Sequence, residues 1–463
     1  MKVLVLNGSP KGKYSITLQT VLYLQKKSKS CEFEILNVGQ TIKQLEKDFS
    51  AAKEALENAD LLLFSYPVYT FIAPCQLHRF IELMKEHQVN VAGKFATQLT
   101  TSKHFYDVTA HRYIMENCQD MGMKFVRGLS ADMDDLLKEK GQKEAVAFWK
   151  YVLFCVKKDI YEAFPNKTEL PALVEATVPE TMGAPVETPE AAEKDGTDAS
   201  KKAAKKEVVI ITDCEPDNTA LQNMITRFMA KLPCASRVVN IREYPFRGGC
   251  LGCFNCAVSG KCIYIDGFDE FLRNDIQTAD AMVYAFSIKD HSMGAVFKMY
   301  DDRQFCNGHR TVTMGMPIGY LISGHYSQEE NLRMIVEGRA EVGSNFLAGV
   351  ATDECNTDKS IDDMAKKLYY AMKRKYVQPQ NFFGVGGMKI FRDLIYLMQG
   401  MMKADHKFYK EHNQYDFPQK QKGTLLKMYL VGALISNPKI KAKMGNKMNE
   451  GMIAPYKKVI DKE

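Results

Sequence analysis

The densest chemistry in this chain is Cys250-Leu-Gly-Cys253-Phe-Asn-Cys256-Ala-Val-Ser-Gly-Lys-Cys262, which holds four of its 12 cysteines. Their spacings are x2, x2 and x5. Thiolates repel one another and are costly to desolvate, so such a cluster implies a cation that holds them, or disulfide exchange among them. Three thiols at x2 spacing can wrap one corner of an iron–sulfur cube, and a fourth can close it after a short loop. Zinc more often takes two separated C-x2-C pairs and ranks second; reduced thiols at an unfilled site are the bland alternative. The other cysteines stand singly among apolar neighbours, the usage of a reducing compartment. No basic region with an apolar core opens the chain. The longest apolar runs, such as Leu425 to Ile435 with Lys427 inside it, are too short to span a bilayer. A cytoplasmic location is expected.

A second constellation follows the first apolar run: Gly8-Ser9-Pro10-Lys11-Gly12-Lys13-Tyr14-Ser15-Ile16-Thr17. A phosphate needs hydroxyl and N–H donors converging at a helix N-terminus, where the dipole also favours negative charge. Ser9, Ser15 and Thr17 supply hydroxyls and Lys11 supplies charge. The loop is neither a Walker A loop nor G-x-G-x-x-G, which disfavours ATP and a Rossmann-bound dinucleotide. Further on, Pro67, Val68 and Tyr69 open a stiff apolar wall, and Thr100 and Ser102 bring polar donors ahead of Phe105 and Tyr106. A phosphate cradle, an aromatic wall and a polar loop, in that order along a sheet, describe a site for a flat phosphorylated heterocycle. FMN fits all three.

The elements that must position these residues repeat. Short apolar strands alternate with helices in residues 1–164 and again in 207–380, five strands in each half. This pattern predicts two tandem flavodoxin-like α/β domains, each a five-stranded parallel sheet of order 2-1-3-4-5 with its ligand site beyond the strand carboxyl ends. Residues 165–206, rich in Pro, Ala, Glu and Thr, are expected to form a disordered linker. Residues 381–463 lack strand signals and are expected to be helical. Their apolar stripe (Phe391, Leu394, Ile395, Met398) should be buried, and Lys439, Lys441, Lys443 and Lys447 should face solvent.

Gly8-Ser9-Pro10-Lys11 with Ser15-x-Thr17, followed by Pro67-Val68-Tyr69, resembles the flavodoxin-like NAD(P)H-dependent FMN reductases. The cysteine run, followed by Ile265-Asp266-Gly267-Phe268, resembles the iron–sulfur flavoproteins of that superfamily. The resemblance implies that Ser9, Lys11, Ser15 and Thr17 hold FMN phosphate and that Pro67, Val68, Tyr69, Thr100 and Ser102 line the isoalloxazine. It implies a [4Fe–4S] cluster on Cys250, Cys253, Cys256 and Cys262, facing a flavin across the junction of two fused copies. The second copy departs from the pattern: Asp213, Glu215 and Asp217 occupy its phosphate loop and would repel a phosphate. His291-Ser-Met-Gly294 through Lys298, Asp302 and Arg303 still resembles a second flavin loop, so a second FMN stays open.

The function expected is a flavin-dependent oxidoreductase moving electrons from NAD(P)H or a ferredoxin-like donor. The alternative is a flavodoxin-like carrier or docking module with no small substrate of its own. The net charge of +6 is uneven: residues 381–463 hold fifteen Lys+Arg and seven Asp+Glu, hence +8, and the rest holds −2. Nucleic acid is not expected as a partner. A homo-oligomer or an acidic protein meeting the basic tail is.

Overall fold

The computed structural model describes residues 1–165, 170–179, 206–435 and 439. The first domain runs β1 (Lys2–Asn7), α1 (Ile16–Lys27), β2 (Glu32–Leu36), α2 (Val38–Leu45), α3 (Ser50–Asn58), β3 (Leu61–Pro67), α4 (Cys75–Glu86), β4 (Phe95–Ser102), α5 (Asp107–Asp120), β5 (Lys124–Phe125), β6 (Leu129–Asp132) and α6 (Glu139–Lys158). The second runs β7 (Glu207–Thr212), α7 (Thr219–Lys231), β8 (Ala235–Asn240), α8 (Asn255–Ser259), α9 (Phe268–Phe271), β9 (Ala281–Ser287), α10 (Gly294–Arg303), β10 (Ile318–Ser323), α11 (Glu330–Val342), β11 (Leu347–Thr352) and α12 (Thr357–Arg374). Both sheets are parallel. Their orders are β2-β1-β3-β4-β5, with β6 also on β4, and β8-β7-β9-β10-β11, so each repeats the predicted 2-1-3-4-5. The fifth strand of the first domain is split in two, both parts pairing with β4.

The strands are apolar on both faces because both faces are covered. Val3, Val5, Leu61 and Leu63 point to an outer core closed by α1 and α6, while Val208, Ile210, Ala281 and Val283 do the same in the second domain. The alternate residues (Leu4, Leu6, Leu62 and Phe64; Val209, Ile211, Met282 and Phe286) belong to one continuous core that joins the two domains. At its centre α4 packs on α10, the equivalent helix of the other repeat. Each helix caps the other. Glu82, near the end of α4, accepts from the Ala295 N–H at 2.7 Å, and Asp302, near the end of α10, accepts from the Cys75 N–H at 2.8 Å. A carboxylate at a helix N-terminus satisfies an orphan donor and complements the dipole.

Two boundaries differ from expectation. Residues 170–179, expected as disordered linker, lie on the second domain. The Val174 N–H donates to the Asp353 carbonyl at 2.6 Å, Arg227 donates to the Thr177 carbonyl at 2.9 Å, and Ala176 is buried. Main-chain hydrogen bonds hold this stretch, which is why hydrophobic periodicity gave no sign of it. The rest of the expected linker, apart from its ends, lies outside the described residues.

The C-terminal region is also not one unit: the compact division falls after Lys407. Helix α13 (Phe382–Leu397) packs on α11 of the second domain. A Cβ on Gly387 would lie 2.7 Å from Val342 and 3.0 Å from Phe105, so the close approach needs glycine there. Ile395 is buried, whereas Phe391, Leu394 and Met398 are half-buried. Beyond α14 (Lys403–Glu411), helix α15 (Lys422–Ile435) exposes Leu425, Met428 and Tyr429. Lys439 is exposed, while Lys441, Lys443 and Lys447 lie outside the described residues. No helix among the described residues is long and apolar enough to cross a membrane.

Candidate functional site

At the carboxyl ends of the first sheet's strands lies a cleft lined by Ser9, Lys11, Ser15 and Thr17. Ser15 caps α1, its Oγ accepting from the Leu18 N–H at 3.3 Å. The Thr17 hydroxyl lies 2.6 Å from that of Thr101, which ties the loop to β4. Asn7 donates to the Gly12 carbonyl and to Asn37 Oδ1 at 3.0 and 2.9 Å, so the loop is fixed from below as well. Burial lowers the Lys11 pKa, with Cys253 and Cys250 pulling it back up. Its ammonium rests 5.4 Å over the Phe254 ring. Lys11 therefore stands between the hydroxyl-rich loop and the cysteine loop.

Pro67, Val68 and Tyr69 form one wall, as read from sequence, and the chain then reverses in a two-residue turn. Tyr69 and Ile72 exchange both backbone hydrogen bonds, at 2.8 and 3.1 Å. Thr70 and Phe71 between them have φ of 42° and 73°. Such turns favour Asn-Gly, and a β-branched residue there is strained, at a cost on the order of 1–3 kcal/mol. The Thr70 and Phe71 N–H groups have no protein acceptor among the described residues, and both residues line the cleft. From β4, Ser102 reaches the cleft but Thr100 does not: its hydroxyl sits 2.8 Å from His111 Nε2. Burial pushes the His111 pKa down to about 4, which keeps that ring neutral. Thr101, on the opposite face of the strand, lines the cleft instead.

The facing wall is the cysteine loop. Cys250, Cys253, Cys256 and Cys262 all line the same cleft, and Cys306, read from sequence as an isolated thiol, joins them. Three arginines anchor this wall by its backbone. Arg303 donates to the Gly248 carbonyl at 2.9 Å, Arg310 to Cys256 and Cys306, each at 3.2 Å, and Arg273 to Gly260 at 2.6 Å. The Arg303 guanidinium is paired with Asp266 and lies 3.9 Å from Cys262 Sγ. The Gly252 N–H donates to Cys250 Sγ at 3.4 Å, and a Cβ on Gly252 would overlap the Tyr69 hydroxyl. Burial pushes the Cys256 thiol up to about 11 and Cys306 up to about 12, and raises Cys250 as well. Burial therefore favours the protonated form of these thiols.

Residues 1–132, the stretch that supplies the hydroxyl-rich loop and the wall, match the family model of the NADPH-dependent FMN reductases. The first domain belongs to that family. No curated protein matches the chain. Solved structures similar to one third of it include an NADH:FMN oxidoreductase in its apo form, 18% identical, covering 33% of this chain and 88% of that one at a TM-score of 0.28. General stress protein 14 of Treponema denticola, in complex with FMN, is 11% identical over 34% and 98% at 0.26. The flavoenzyme NAD(P)H:(acceptor) oxidoreductase of Paracoccus denitrificans is 20% identical over 33% and 97% at 0.26.

The repeat of this FMN reductase-family domain has filled its own loop with charge. Arg242 pairs with Glu215 at 2.6 Å and donates to the Asp213 carbonyl, and burial pushes the Asp213 carboxyl up to about 7. His291 of the second would-be flavin loop is held at 3.0–3.1 Å between Asp120 and Glu329. Lys298 and Asp302 turn into the seam between the domains. Sequence reasoning missed the third wall of the cleft, Ile390, Phe391 and Leu394 of α13, where Phe391 packs 4.5 Å from Phe105 and 5.3 Å from His309. The helical period marked these residues as apolar but could not show which surface they cover.

Proposed function

We propose that this protein is a flavin-dependent oxidoreductase: FMN occupies the first domain's cleft and takes electrons from NAD(P)H or a reduced carrier. The observation that carries this is that the hydroxyl-rich loop of one repeat and the cysteine loop of the other line a single cleft. Ser9, Ser15 and Thr17 with Lys11 would hold the phosphate. Pro67, Val68 and Tyr69 would flank the ring, and the free N–H groups at Thr70 and Phe71 offer donors to ring acceptors. When bound, the flavin supplies hydride and single-electron chemistry; the protein orients it and sets its potential.

The four cysteines would carry a [4Fe–4S] cluster on the opposite wall. Among the described residues, no three of their sulfurs lie within 4.8 Å of one another. A zinc ion with bonds of about 2.3 Å would hold its sulfurs about 3.8 Å apart, whereas a cube spreads them more widely. The N–H donor on Cys250 and the arginines around the loop suit a cluster with net negative charge. The alternative is an electron carrier without its own substrate, and the donor that reduces the flavin separates the two.

The test is anaerobic purification with quantitation of FMN, iron and sulfide, then mixing with NADH and NADPH. Stoichiometric FMN reduced rapidly by a nicotinamide nucleotide supports the enzyme. Reduction by a protein donor alone supports the carrier, and colourless protein refutes both.

A further inference from the structure

The turn that presents the two free N–H groups is gripped by a buried charge lattice from the other domain. Lys298 and Asp302 of α10 are fully buried, and Asp301 nearly so. The Lys298 ammonium is paired with Asp302 and donates to the Thr70 hydroxyl at 2.5 Å and to the Tyr69 carbonyl at 3.2 Å. The Thr70 hydroxyl in turn donates to Asp302 at 2.8 Å. Arg339 of α11, paired with Asp301, donates to the Thr70 carbonyl at 3.2 Å. The Phe71 carbonyl accepts from Thr109, whose own carbonyl accepts from Asn331 of α11 at 3.0 Å.

The consequence follows from peptide geometry. In a planar trans peptide the N–H points opposite to the C=O, and no cis bond occurs among the described residues. The Tyr69 carbonyl, held by Lys298 as well as by the Ile72 N–H, turns the Thr70 N–H away from the lattice, and the Thr70 carbonyl held by Arg339 does the same for Phe71. Away from the lattice lies the cleft. Two left-handed, non-glycine residues would relax without such a grip, so their strain and the lattice explain each other.

We propose that Lys298, Asp302 and Arg339 are positioning residues, through which the second domain aims the Thr70 and Phe71 N–H groups at the bound cofactor and favours its electron-rich, reduced form. This rests on the flavin reading above. N–H donors held in place stabilise charge that develops next to them, and they need no reorganisation to do so. The repeat that lost its own phosphate loop would thus tune the site of the other.

The experiment uses the full chain with FMN added. The double variant Lys298→Met with Asp302→Asn removes the pair without leaving an unpaired buried charge, and Thr70→Gly removes the gripped hydroxyl while relieving the φ strain. The midpoint potential of bound FMN is measured in each. In ligand-free protein, hydrogen exchange is measured for a peptide covering residues 68–73. Each variant should lose about tenfold in preference for reduced over oxidised FMN, a shift of about 30 mV to more negative potential for a two-electron couple. The peptide should exchange faster in each. Thr70→Gly decides the matter if the double variant fails to fold. Wild-type protein that binds no FMN defeats the functional proposal itself. Wild-type protein that binds FMN, with unchanged potential and exchange in the variants, overturns only the positioning role.

Discussion

Removing the hydroxyls of Ser15 and Thr17 together should strip FMN from the first domain while leaving the fold intact. Hydrogen bonds to a charged phosphate are each worth about 1.5–3 kcal/mol, so two lost bonds amount to about 3–6 kcal/mol. That is a 10²- to 10⁴-fold weaker Kd, since about 1.4 kcal/mol is tenfold. The structural cost is smaller. Ser15 caps α1, and losing a cap costs about 1 kcal/mol. Among the described residues the Thr17 hydroxyl has one protein partner, Thr101, worth about 1 kcal/mol more. Flavin fluorescence on titrating FMN into stripped protein gives the Kd, and chemical denaturation gives the stability. Thr100→Val is the control: its hydroxyl faces His111, so stability should fall by about 1 kcal/mol with the flavin Kd unmoved. A double variant that binds FMN as tightly as wild type, or a Thr100→Val that loses it, would refute the placement of the phosphate.

Cys256→Ser should abolish iron and sulfide in anaerobically prepared protein yet retain FMN, since the two sites stand on opposite walls; zinc found in place of iron would defeat the cluster. Gly252→Ala should reduce iron content severalfold, because φ of 58° costs a Cβ-bearing residue about 1–2 kcal/mol and the new methyl collides with Tyr69; unchanged iron content would show that the loop has room to move. The carboxylates of Asp120 and Glu329 raise the pKa of His291 to about 10 against its burial. Its charge therefore stabilises the seam fully below pH 6.5, and that contribution is lost as pH rises through 10. Denaturation midpoints should fall between pH 7 and 10 in wild type and flatten in His291→Gln; parallel curves would contradict the role of this bridge.

The fold was legible because it is written in local signals. Strand runs such as Lys2–Asn7 and Glu207–Thr212 end in turn residues, and Ser15 and Asn218 cap the helices that follow. Parallel strands must be joined by crossovers, so alternation alone implied the topology. The site was only half legible. Ser9, Lys11 and the cysteine run declared themselves by composition, whereas Thr101 was displaced by Thr100 because the register at a strand's end cannot be read from residue type. Cys306, Arg303 and Phe391 reach the cleft only through tertiary packing. Lys298 and Asp302 were visible as part of a second flavin-like loop left open, and their contacts run to Tyr69 and Thr70 of the other repeat. A polar pair in a helix gives no sign that both members are buried.

The single core shared by the two sheets bears on dilution. Two separate chains joined by such a face would come apart as concentration fell, and each could equally pair with its own kind. Fusing them sets the effective concentration by covalent reach, independent of abundance. It also lifts a constraint of symmetric pairs, in which every substitution appears twice across the axis. With one copy of each half, Arg242 and Glu215 could pair in the loop after β7 while Ser9, Ser15 and Thr17 line the cleft after β1, and the cysteines needed to appear only once. Covalent connection is what permits the two faces of this molecule to differ.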